Sequence, residues 1–435
     1  MLERKAEQDI YIELKQRLAE STSSYHTVRR AALDLKEAGF TYLNPEDKWE
    51  LKPGGKYYTV FFGSALFAFT AGRQFITAGS LRAAIAHTDF PGFKLKPGCG
   101  IKQSGYGKLN TSVYGGPILN TWLDRPLSIS GKVALKGSLF EPRMRLVDFK
   151  RPVLTIPNLA IHMNREVNKG IELNRQKDLL PVGELFPEEG CDDSFFLEAL
   201  AAELGAAKED ILDYELTVYV REEAERLGFT GKLLSGPRLD NITSVQACVE
   251  GITGDIRPSG LNLIGLFDHE EVGSRTRQGA DSALLPGLLE RIYGCLGLEK
   301  ERLYRDIASG FLLSVDVAHA HHPNSPEKGD PTNPVLPGKG VAFKMSASQS
   351  YACDSELAGI LMQLCEANQI PFQKYVNRSD IPGGSTIGSI VSSLIPVRTL
   401  DIGVPVLAMH SARECMAVSD QAALESLLSV YFTAE

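Results

Sequence analysis

One stretch of the chain, Leu261 to Ser274, constrains the fold more than any other. It reads LNLIGLFDHEEVGS, so an apolar run of strand length changes abruptly into four ionisable residues and then a glycine. Such a run, with these boundaries, is typical of a buried strand. In open α/β sheets, ligands bind in the crevice beyond the carboxyl ends of the strands. The residues from Asp268 to Glu271 are therefore candidate site residues, and an acidic solvated turn is the alternative.

Four other segments end in side chains that can bind metals. One apolar stretch ends in His87 and Asp89, a second is interrupted by Asp316 near its end, and a third ends in His410. Asp240 stands instead at the start of an amphipathic helix, where an aspartate is often only an N-cap. The five metal-capable side chains predicted at segment ends are thus His87, Asp240, Glu271, Asp316 and His410.

The pair His87 and Asp89 has a spacing that suits a metal ligand and its support. Side chains on a strand alternate with a period of two, so these two project from the same face. The carboxylate of Asp89 can then accept the second N–H of the imidazole and fix its tautomer, as is usual for metal-binding histidines. A hydrogen-bonded core histidine is the alternative interpretation.

The number of candidate ligands favours a pair of metals. Two histidines and three carboxylates are too many for one tetrahedral catalytic zinc with an open position, whereas two metals sharing a carboxylate accommodate them. Zinc suits these ligands, with manganese and cobalt as alternatives. Such a pair deprotonates a bridging water and polarises a carbonyl. Glu270 and Glu271 point in different directions on an extended segment, so one can bind a metal while the other acts as general base.

Three further histidines follow Asp316 closely in the sequence. They are His319, His321 and His322. A histidine-rich tract of this kind can bind a metal by itself. We therefore keep a separate metal site in this tract as an alternative.

The length of the chain and a change in its residue pattern indicate two domains. A chain of 435 residues exceeds what one hydrophobic core usually supports. Between residues 92 and 232 glycines recur among short alternating stretches, which is typical of a β-rich domain, and an α/β pattern continues on both sides. We predict a discontinuous α/β domain, 1–91 and 233–435, interrupted by a β-rich insert at 92–232.

Composition excludes several classes of function. The 46 basic and 54 acidic side chains give a net charge of −8, which argues against nucleic acid as a main partner. The N-terminus lacks the apolar core of a signal peptide, and no apolar run approaches the roughly 20 residues of a membrane span. The seven cysteines are scattered and have no C-x-x-C spacing. We expect a cytoplasmic protein with reduced, mostly buried thiols.

Five motifs occur in a fixed order over nearly the whole chain. They read HTD at 87–89, RLDN at 238–241, DHEEVGS at 268–274, SVDVAHAHHP at 314–323 and AMHSARE at 408–414. Together they resemble the aspartyl aminopeptidases, a family that includes the vacuolar aminopeptidase of fungi. The resemblance implies a three-layer α/β/α zinc-aminopeptidase domain interrupted by a β-rich domain that builds dimers and covers the site. It also implies a homo-oligomer, in which dimers assemble into a tetrahedral dodecamer around an internal chamber.

The resemblance assigns the ligands of a two-metal centre. His87 and Asp316 would hold one metal, and Glu271 and His410 would hold the other. Asp240 would bridge the two ions, which excludes the N-cap interpretation. The expected cofactors are therefore two divalent metal ions per subunit, zinc before manganese or cobalt.

The resemblance also assigns catalytic roles to three other residues. Glu270 would be the general base, and Asp89 would orient His87. His162 matches a histidine that reaches a neighbouring subunit's active site and stabilises the tetrahedral oxyanion. Its local sequence alone indicates only a surface or core histidine.

The expected substrates are peptides whose first residue is acidic. Lys344 matches a lysine that pairs with the acidic side chain of that residue, and Tyr351 and Gly384 lie in segments that match substrate-facing ones. The turn around Gly384 reads PGGST, whereas relatives often carry PCGTT. An aminopeptidase of neutral or broad preference is one alternative, and a non-catalytic metal-binding assembly scaffold is another.

Overall fold

The computed structural model describes residues 6–75, 79–170, 172–186 and 194–434. The helices in these ranges are α1 Glu7–Glu20, α2 Ser24–Glu37, α3 Ser194–Leu204, α4 Leu239–Thr253, α5 Leu284–Cys295, α6 Lys300–Ala308, α7 Ser355–Ala367, α8 Ile387–Leu394 and α9 Val418–Thr433. The strands are β1 Thr41–Tyr42, β2 Lys56–Phe61, β3 Ala65–Ala71, β4 Leu81–His87, β5 Gly92–Gln103, β6 Tyr106–Tyr114, β7 Leu127–Ser138, β8 Glu141–Asp148, β9 Val182–Leu185, β10 Ile211–Val220, β11 Glu225–Leu227, β12 Leu233–Gly236, β13 Leu261–Phe267, β14 Phe311–Val315, β15 Ala318–His319, β16 Val341–Met345, β17 Phe372–Val376, β18 Arg398–Gly403, β19 Pro405–Leu407 and β20 Glu414–Ala417. None of the described helices combines the length and the apolar character needed to cross a bilayer.

The chain folds into two compact units, and both are discontinuous in sequence. The first unit comprises the described residues of Met1–Asp89, Ala224–Met409 and Glu414–Glu435, and the second comprises those of Phe90–Glu223 and His410–Arg413. The sequence prediction placed an insert at 92–232. It contained no equivalent of the short segment His410–Arg413, which packs with residues that lie far away in the sequence.

The first unit is built on a mixed sheet to which the described residues contribute nine strands. Their order is β1-β2-β3-β13-β4-β14-β18-β16-β17. The central strands β13, β4, β14 and β18 run parallel to one another. Their carboxyl ends therefore lie at the same edge of the sheet.

Both faces of this sheet are covered by helices. On β13, Ile264 and Leu266 belong to one hydrophobic core, whereas Leu263 and Phe267 belong to the other. The first core also receives α1, α2, α4, α7 and α9, and the second receives α5, α6 and α8. Because successive strand residues face opposite sides, a strand between two helical layers must be apolar at every position. This explains the nearly continuous apolar run from Leu261 to Phe267, in which the one polar side chain, Asn262, donates to the carbonyl oxygen of Phe432 at 2.8 Å, and it gives the expected three-layer α/β/α arrangement.

A smaller sheet in the same unit carries further segments toward the predicted site. Among the described residues it has five strands, in the order β11-β12-β20-β19-β15. The strand predicted to end at His410 is shorter than expected, because β19 ends at Leu407. Ala408 and His410 have positive φ angles of 57° and 66°, which an extended strand does not allow. The prediction that His410 ends a strand is therefore wrong.

The second unit is an antiparallel β structure. The strand order among its described residues is β8-β7-β10-β5-β6-β9. Phe93 and Trp122 pack edge to face in its core, with ring centroids 5.0 Å apart. Helix α3 adds Phe196 and Leu200 to the same core. This unit thus has a hydrophobic core of its own, as expected for a β-rich domain.

The described cysteines form no disulfide with one another. Cys99, Cys248 and Cys365 are buried, whereas Cys295 is exposed. Cys191 lies outside the described residues. The expectation of mostly buried thiols therefore holds for three of the six described cysteines.

A buried carboxylate at the start of α9 fixes the loop that precedes β16. Asp420 has no exposed surface, and it accepts the N–H of Gly338 at 2.7 Å and that of Gly340 at 2.8 Å. Gly340 has a φ of +92°, and an added Cβ would lie 1.9 Å from the carbonyl oxygen of Pro371. The backbone thus passes too close to Pro371 for any other residue. Asp420 thereby sets the position from which β16 starts.

Asp420→Ala should lower the free energy of unfolding by about 1–3 kcal/mol, because the N–H groups of Gly338 and Gly340 lose their acceptor. The apparent midpoint of thermal unfolding measures this loss. Asp9→Ala is the matched control, since Asp9 is an exposed aspartate in the first turn of α1, and it should change stability by less than about 0.5 kcal/mol. Equal shifts in the two variants would contradict the role of Asp420.

Candidate metal centre

Three neighbouring strands of the main sheet bring charged side chains to one edge. β4 ends at His87, β14 ends one residue before Asp316, and β13 ends three residues before Glu270. Because β13 and β14 both pair with β4 in parallel, their carboxyl ends meet. Residues Glu270–Val272 then form a single 3-10 turn. The residues collect at the sheet edge where open α/β sheets bind ligands.

His87 lies at the centre of this cluster. Its Nε2 lies 3.4 Å from Oδ1 of Asp240 and 3.6 Å from Oδ1 of Asp316. One possible ligand atom from each of these three residues lies within 4.8 Å of the other two, and the same is true of His87, Glu270 and Glu271. His87 and Asp240 are buried. Five of the residues predicted from the sequence are therefore together in the first unit.

Asp89 does more in the structure than the sequence indicated. Its carboxylate accepts two main-chain N–H groups, that of Glu270 at 3.1 Å and that of Glu271 at 3.2 Å. The nearest Asp89 atom to Nδ1 of His87 is the main-chain oxygen, at 3.0 Å, whereas the carboxylate Oδ1 is 3.5 Å away. Asp89 thus supports His87 mainly through its backbone, and its carboxylate fixes the turn that carries both glutamates.

Asp240 lies just ahead of the regular part of α4. Both Asp240 and Asn241 have non-helical backbone angles, so Asn241 is the residue that precedes the first regular turn. The N–H of Asp240 donates to Oε2 of Glu414 at 3.0 Å. Its carboxylate faces His87, which is the geometry of a ligand rather than of an N-cap.

The carboxylates around His87 change the pKa values of the cluster. Burial acts to lower the pKa of His87, but Asp240, Asp316, Asp89 and then Glu270 raise it well above its ordinary value. Burial raises the pKa of Glu270 to about 8; His87 acts to lower it, and the three aspartates act to raise it. The carboxylates cause the shift at His87, whereas burial is the main cause at Glu270 and the neighbouring aspartates add to it. The cluster therefore attracts cations.

The donor set fits divalent transition metals. Histidine nitrogen and carboxylate oxygen are the ligands that zinc takes in catalytic sites, and manganese and cobalt accept them as well. The main-chain oxygen of Asp89 can hold the Nδ1 proton of His87, which would leave the lone pair of Nε2 available for a metal. That nitrogen is the one that faces Asp240 and Asp316.

A buried lysine lies beside the cluster. Nζ of Lys344 lies 3.7 Å from Oδ2 of Asp316 and 5.1 Å from the centre of the Tyr351 ring, and only 2% of the lysine is exposed. Burial acts to lower the pKa of Lys344, but Asp316, Asp401 and Tyr351 raise it, and the pKa lies above its ordinary value. The lysine thus adds a fixed positive charge next to the carboxylates.

Asp401, on β18, is a residue that the sequence analysis missed. It has no exposed surface, and its Oδ2 accepts the N–H of Ala352 at 2.6 Å. Its own N–H donates to the carbonyl of Ala352 at 3.0 Å. A carboxylate within the apolar strand sequence TLDIG, at 399–403, is the signal that could have identified it.

Two predicted site residues, His410 and His162, belong to the second unit. Nδ1 of His410 lies 3.1 Å from the carbonyl oxygen of Gly116, and the carbonyl oxygen of His410 accepts the N–H of Ile118 at 2.9 Å. His162 is exposed and lies in a turn. The participation of either residue in the metal centre stays a prediction.

The histidines that follow Asp316 line a cavity of about 260 Å³ in the first unit. They are His319, His321 and His322. Nδ1 of His322 accepts the N–H of Asn324 at 3.2 Å. Among the described residues, no group of three metal-capable side chains includes any of the three. The structure therefore does not bring them together as a metal site.

Tyr351 and Gly384, which were predicted to face the substrate, both adjoin this cavity. Tyr351 is buried and packs edge to face against Tyr375, with ring centroids 6.0 Å apart, and Tyr375 lines the cavity. Gly384 is exposed and follows Gly383, another lining residue. Each predicted substrate-facing segment thus lies next to a residue that lines this cavity.

Sequence comparison gives relatives that match almost the entire chain. The family described as aminopeptidase I zinc metalloprotease (M18) matches residues 18–432. The probable M18 family aminopeptidase 2 of Clostridium novyi is 43% identical over 94% of this chain and 95% of its own length. The protein of the same name from Pseudomonas savastanoi pv. phaseolicola is 37% identical over 95% of this chain and 96% of its own length.

Solved structures match the fold as well. The cryo-EM structure of the Ape4 and Nbr1 complex contains a chain that is 30% identical, with a TM-score of 0.91 over 98% of this chain and 86% of that one. The M18 family aminopeptidase of Thermotoga maritima, at 21% identity, shares the fold with a TM-score of 0.86 over all of both chains. The chain therefore belongs to the M18 family of aminopeptidase I zinc metalloproteases, and it is a metalloaminopeptidase with the α/β fold that its motifs implied.

Proposed function

We propose that this aminopeptidase uses two divalent metal ions, zinc by preference, to remove Asp or Glu from the N-terminus of peptides. The observation that carries the proposal is the 3.7 Å separation between the Lys344 ammonium and Asp316, a member of the metal-binding cluster. An aminopeptidase must hold the α-amine and the first carbonyl of its substrate at the metals. The first side chain then lies beside them, where Lys344 complements a carboxylate.

The proposed ligands are His87 and Asp316 for one ion and Glu271 and His410 for the other, with Asp240 shared by both ions. The two histidines have the hydrogen-bond support at Nδ1 that metal-binding histidines need. The main-chain oxygens of Asp89 and Gly116 lie 3.0 and 3.1 Å from Nδ1 of His87 and His410, respectively, so Nε2 is the ligand nitrogen in both. Divalent ions held here would lower the pKa of a bound water and polarise the substrate carbonyl.

Glu270 is the proposed general base. Burial raises its pKa above the ordinary value of a glutamate, which is the direction that lets a carboxylate both take up and return a proton near neutral pH. The turn that carries it is fixed by the bond from its N–H to Asp89. In the proposed reaction Glu270 takes the proton of the attacking water and then delivers it to the leaving amine.

The preference for acidic residues is assigned to Lys344. An ammonium that is 2% exposed and rests over the ring of Tyr351 has little freedom to move away from its site. A carboxylate that reaches it gains a charge-assisted hydrogen bond, which a neutral side chain cannot form. Tyr351 and the segment at Gly384 would form the neighbouring walls of the same pocket.

Assembly is proposed from the relatives. The yeast mApe1 dodecamer, a solved structure, is 26% identical over 98% of this chain, with a TM-score of 0.83. We propose that this chain also forms dimers that assemble into a tetrahedral dodecamer, with the second unit as dimerisation and lid domain. His162 is exposed in the single chain, so it is accessible to a neighbouring subunit. There it would stabilise the tetrahedral oxyanion.

The alternative substrate preference makes a different demand on experiment. An aminopeptidase of neutral preference would use the same metal centre without a role for Lys344. The metal-binding scaffold considered from the sequence is set aside, because the chain is an M18 metalloaminopeptidase. Turnover of a panel of aminoacyl substrates with added zinc, manganese or cobalt separates the two preferences and also ranks the metals.

Glu270→Gln and Glu271→Gln should fail in different ways. The first should reduce kcat by about 10²–10⁴-fold, because the amide cannot accept a proton, while the bound metal is retained. The second should release metal. Measurement of kcat and of metal per chain on the same preparations tests both roles. Near-full turnover of Glu270→Gln, or equal metal loss in the two variants, would contradict the division between them.

Asp240→Ala should leave fewer than two metal ions per chain after dialysis, because the shared carboxylate is removed. Elemental analysis of the dialysed protein provides the measurement. The matched control is Asp281→Ala, which removes an exposed aspartate of the same unit and should leave the metal content of the native protein. Two ions per chain in dialysed Asp240→Ala would rule out the bridging role.

Lys344→Leu should reduce kcat/KM for Asp and Glu substrates by roughly 10- to 100-fold more than for Ala and Leu substrates. This range corresponds to the loss of one charge-assisted hydrogen bond of about 1.5–3 kcal/mol. The ratio between acidic and neutral substrates is the quantity to measure, with metal content determined in parallel because Asp316 lies close by. An unchanged ratio would favour the aminopeptidase of neutral preference.

A further inference from the structure

The cavity of about 260 Å³ in the first unit is lined mainly by hydrogen-bond donors. Two cationic side chains, Lys328 and Arg378, line it together with three histidines. Asp330 is the one carboxylate among the described lining residues, and its Oδ1 atom already accepts the N–H groups of Thr332 and Asn333 at 3.0 and 2.9 Å. This acceptor is therefore used within its own loop. A ligand of the cavity must supply acceptor atoms, as an anion does.

His321 brings to this cavity a buried nitrogen that lacks a partner. No atom of the described residues forms a hydrogen bond with its Nδ1, which is buried. The imidazole packs directly on the backbone of Gly329, because a Cβ added there would lie 2.7 Å from the same Nδ1 atom. A buried polar atom without a partner destabilises a fold, and such atoms are rare in native proteins. Its position in the lining of a cavity indicates a ligand that supplies the missing partner.

The two cations of the lining have different roles. Arg378 joins two of the lining segments, because its Nε lies 2.7 Å from Oδ1 of Asp380 and its guanidinium also donates to the carbonyl oxygen of Glu327. The ammonium of Lys328, in contrast, has no hydrogen-bond or ion-pair partner among the described residues. Lys328 is also exposed, so a ligand that enters the cavity can reach it. Lys328 thus provides the charge for an anion, and Arg378 holds the walls.

The cavity lies within reach of a short peptide bound at the metal centre. His319, a lining residue, comes three residues after Asp316, so their Cα atoms lie at most about 11 Å apart. Beyond its first carbonyl, an extended tripeptide or tetrapeptide spans about 7–11 Å. Neither Lys344 nor Tyr351 lines the cavity, so it differs from the pocket proposed for the first side chain. Since nothing precedes the first residue of a substrate, further contacts must come from residues after the scissile bond.

We propose that this cavity binds the C-terminal carboxylate of short peptide substrates. Lys328 supplies the positive charge and His321 supplies a ring N–H, which together form a charge-assisted pair that an amidated peptide lacks. The inference rests on the proposed metal centre, from which the reach is measured, but not on the preference for an acidic first residue. It gives the enzyme a preference for peptides of three or four residues with a free C-terminus.

Tripeptides with a free or an amidated C-terminus test the proposal, with the first residue fixed as the one that the native enzyme removes fastest. The ratio of kcat/KM between free acid and amide should be about tenfold or more in the native enzyme. It should fall to about threefold or less in Lys328→Gln. Lys339→Gln is the matched control, because it removes an exposed lysine of the same unit that does not line the cavity, and it should keep the native ratio.

His321→Leu separates a ligand site from a structural role. Leucine removes the unpartnered nitrogen, so the apparent midpoint of thermal unfolding of the peptide-free protein should stay the same or rise. The ratio between free acid and amide should nevertheless fall by at least about threefold. A histidine with only a structural role would behave in the opposite way, because its loss would lower the midpoint and leave the ratio unchanged.

An acidic side chain at the second residue is the other source of a carboxylate beyond the scissile bond. Amidated tripeptides with Glu or Gln at the second residue distinguish the two sources, because Lys328→Gln should leave the ratio between these peptides unchanged. A change confined to this second ratio would contradict the assignment to the C-terminus. So would a native ratio near one between free acid and amide, or a ratio that survives both substitutions. A wrong metal centre or first-residue preference, in contrast, affects the turnover of free acid and amide alike.

Discussion

The negative charge concentrated around His87 is the constraint on which this part of the structure depends. Asp240 and Asp316 lie 3.4 and 3.6 Å from its Nε2 atom, and Glu270 and Glu271 lie close by. Buried carboxylates are costly unless cations compensate them. The surrounding carboxylates raise the pKa of His87 well above its ordinary value, because they favour a positive charge at this position. Divalent metals serve the same electrostatic need, and in an M18 metallopeptidase they also provide the chemistry.

Buried carboxylates outside the cluster hold the backbone in place. Asp89 accepts the N–H groups of Glu270 and Glu271, Asp401 accepts that of Ala352, and Asp420 accepts those of the loop before β16. Each therefore fixes a loop or a strand end that carries a functional side chain. A catalytic group held in this way loses less freedom during the reaction, which is the basis of preorganisation. The rigidity of the site thus comes from side chain to main chain hydrogen bonds.

Sequence patterns predicted the parts of the site that follow from strand geometry. The strand Leu261–Phe267 has the predicted bounds, and His87, Asp316 and Glu271 follow parallel strands whose carboxyl ends must meet. The N-cap of α2 is a local feature of the same kind, because the Ser23 side chain accepts the N–H of His26. These features depend on residues that lie close in sequence or on the regular geometry of a parallel sheet.

Other features could not be predicted because they depend on contacts between distant residues. Asp240 follows β12 of the smaller sheet, so strand geometry alone does not place it near His87. No local sequence pattern indicates that His410–Arg413 belongs to the second unit. The bonds of the Asp89 carboxylate span 181 and 182 residues. Asp240 and His410 were candidate ligands from their places at segment ends, but only the resemblance of whole motifs assigned Asp240 as the bridge and His410 as the partner of Glu271.

Anomalous diffraction from crystals of the zinc-loaded protein, measured at the zinc absorption edge, shows whether these residues hold two metal ions. Two peaks separated by about 3.5–4 Å are expected, as in other two-metal hydrolases. His87 and Asp316 should contact one peak, Glu271 the other, and Asp240 both. A single peak at this cluster, or zinc held instead by His319, His321 and His322, would contradict the two-metal centre.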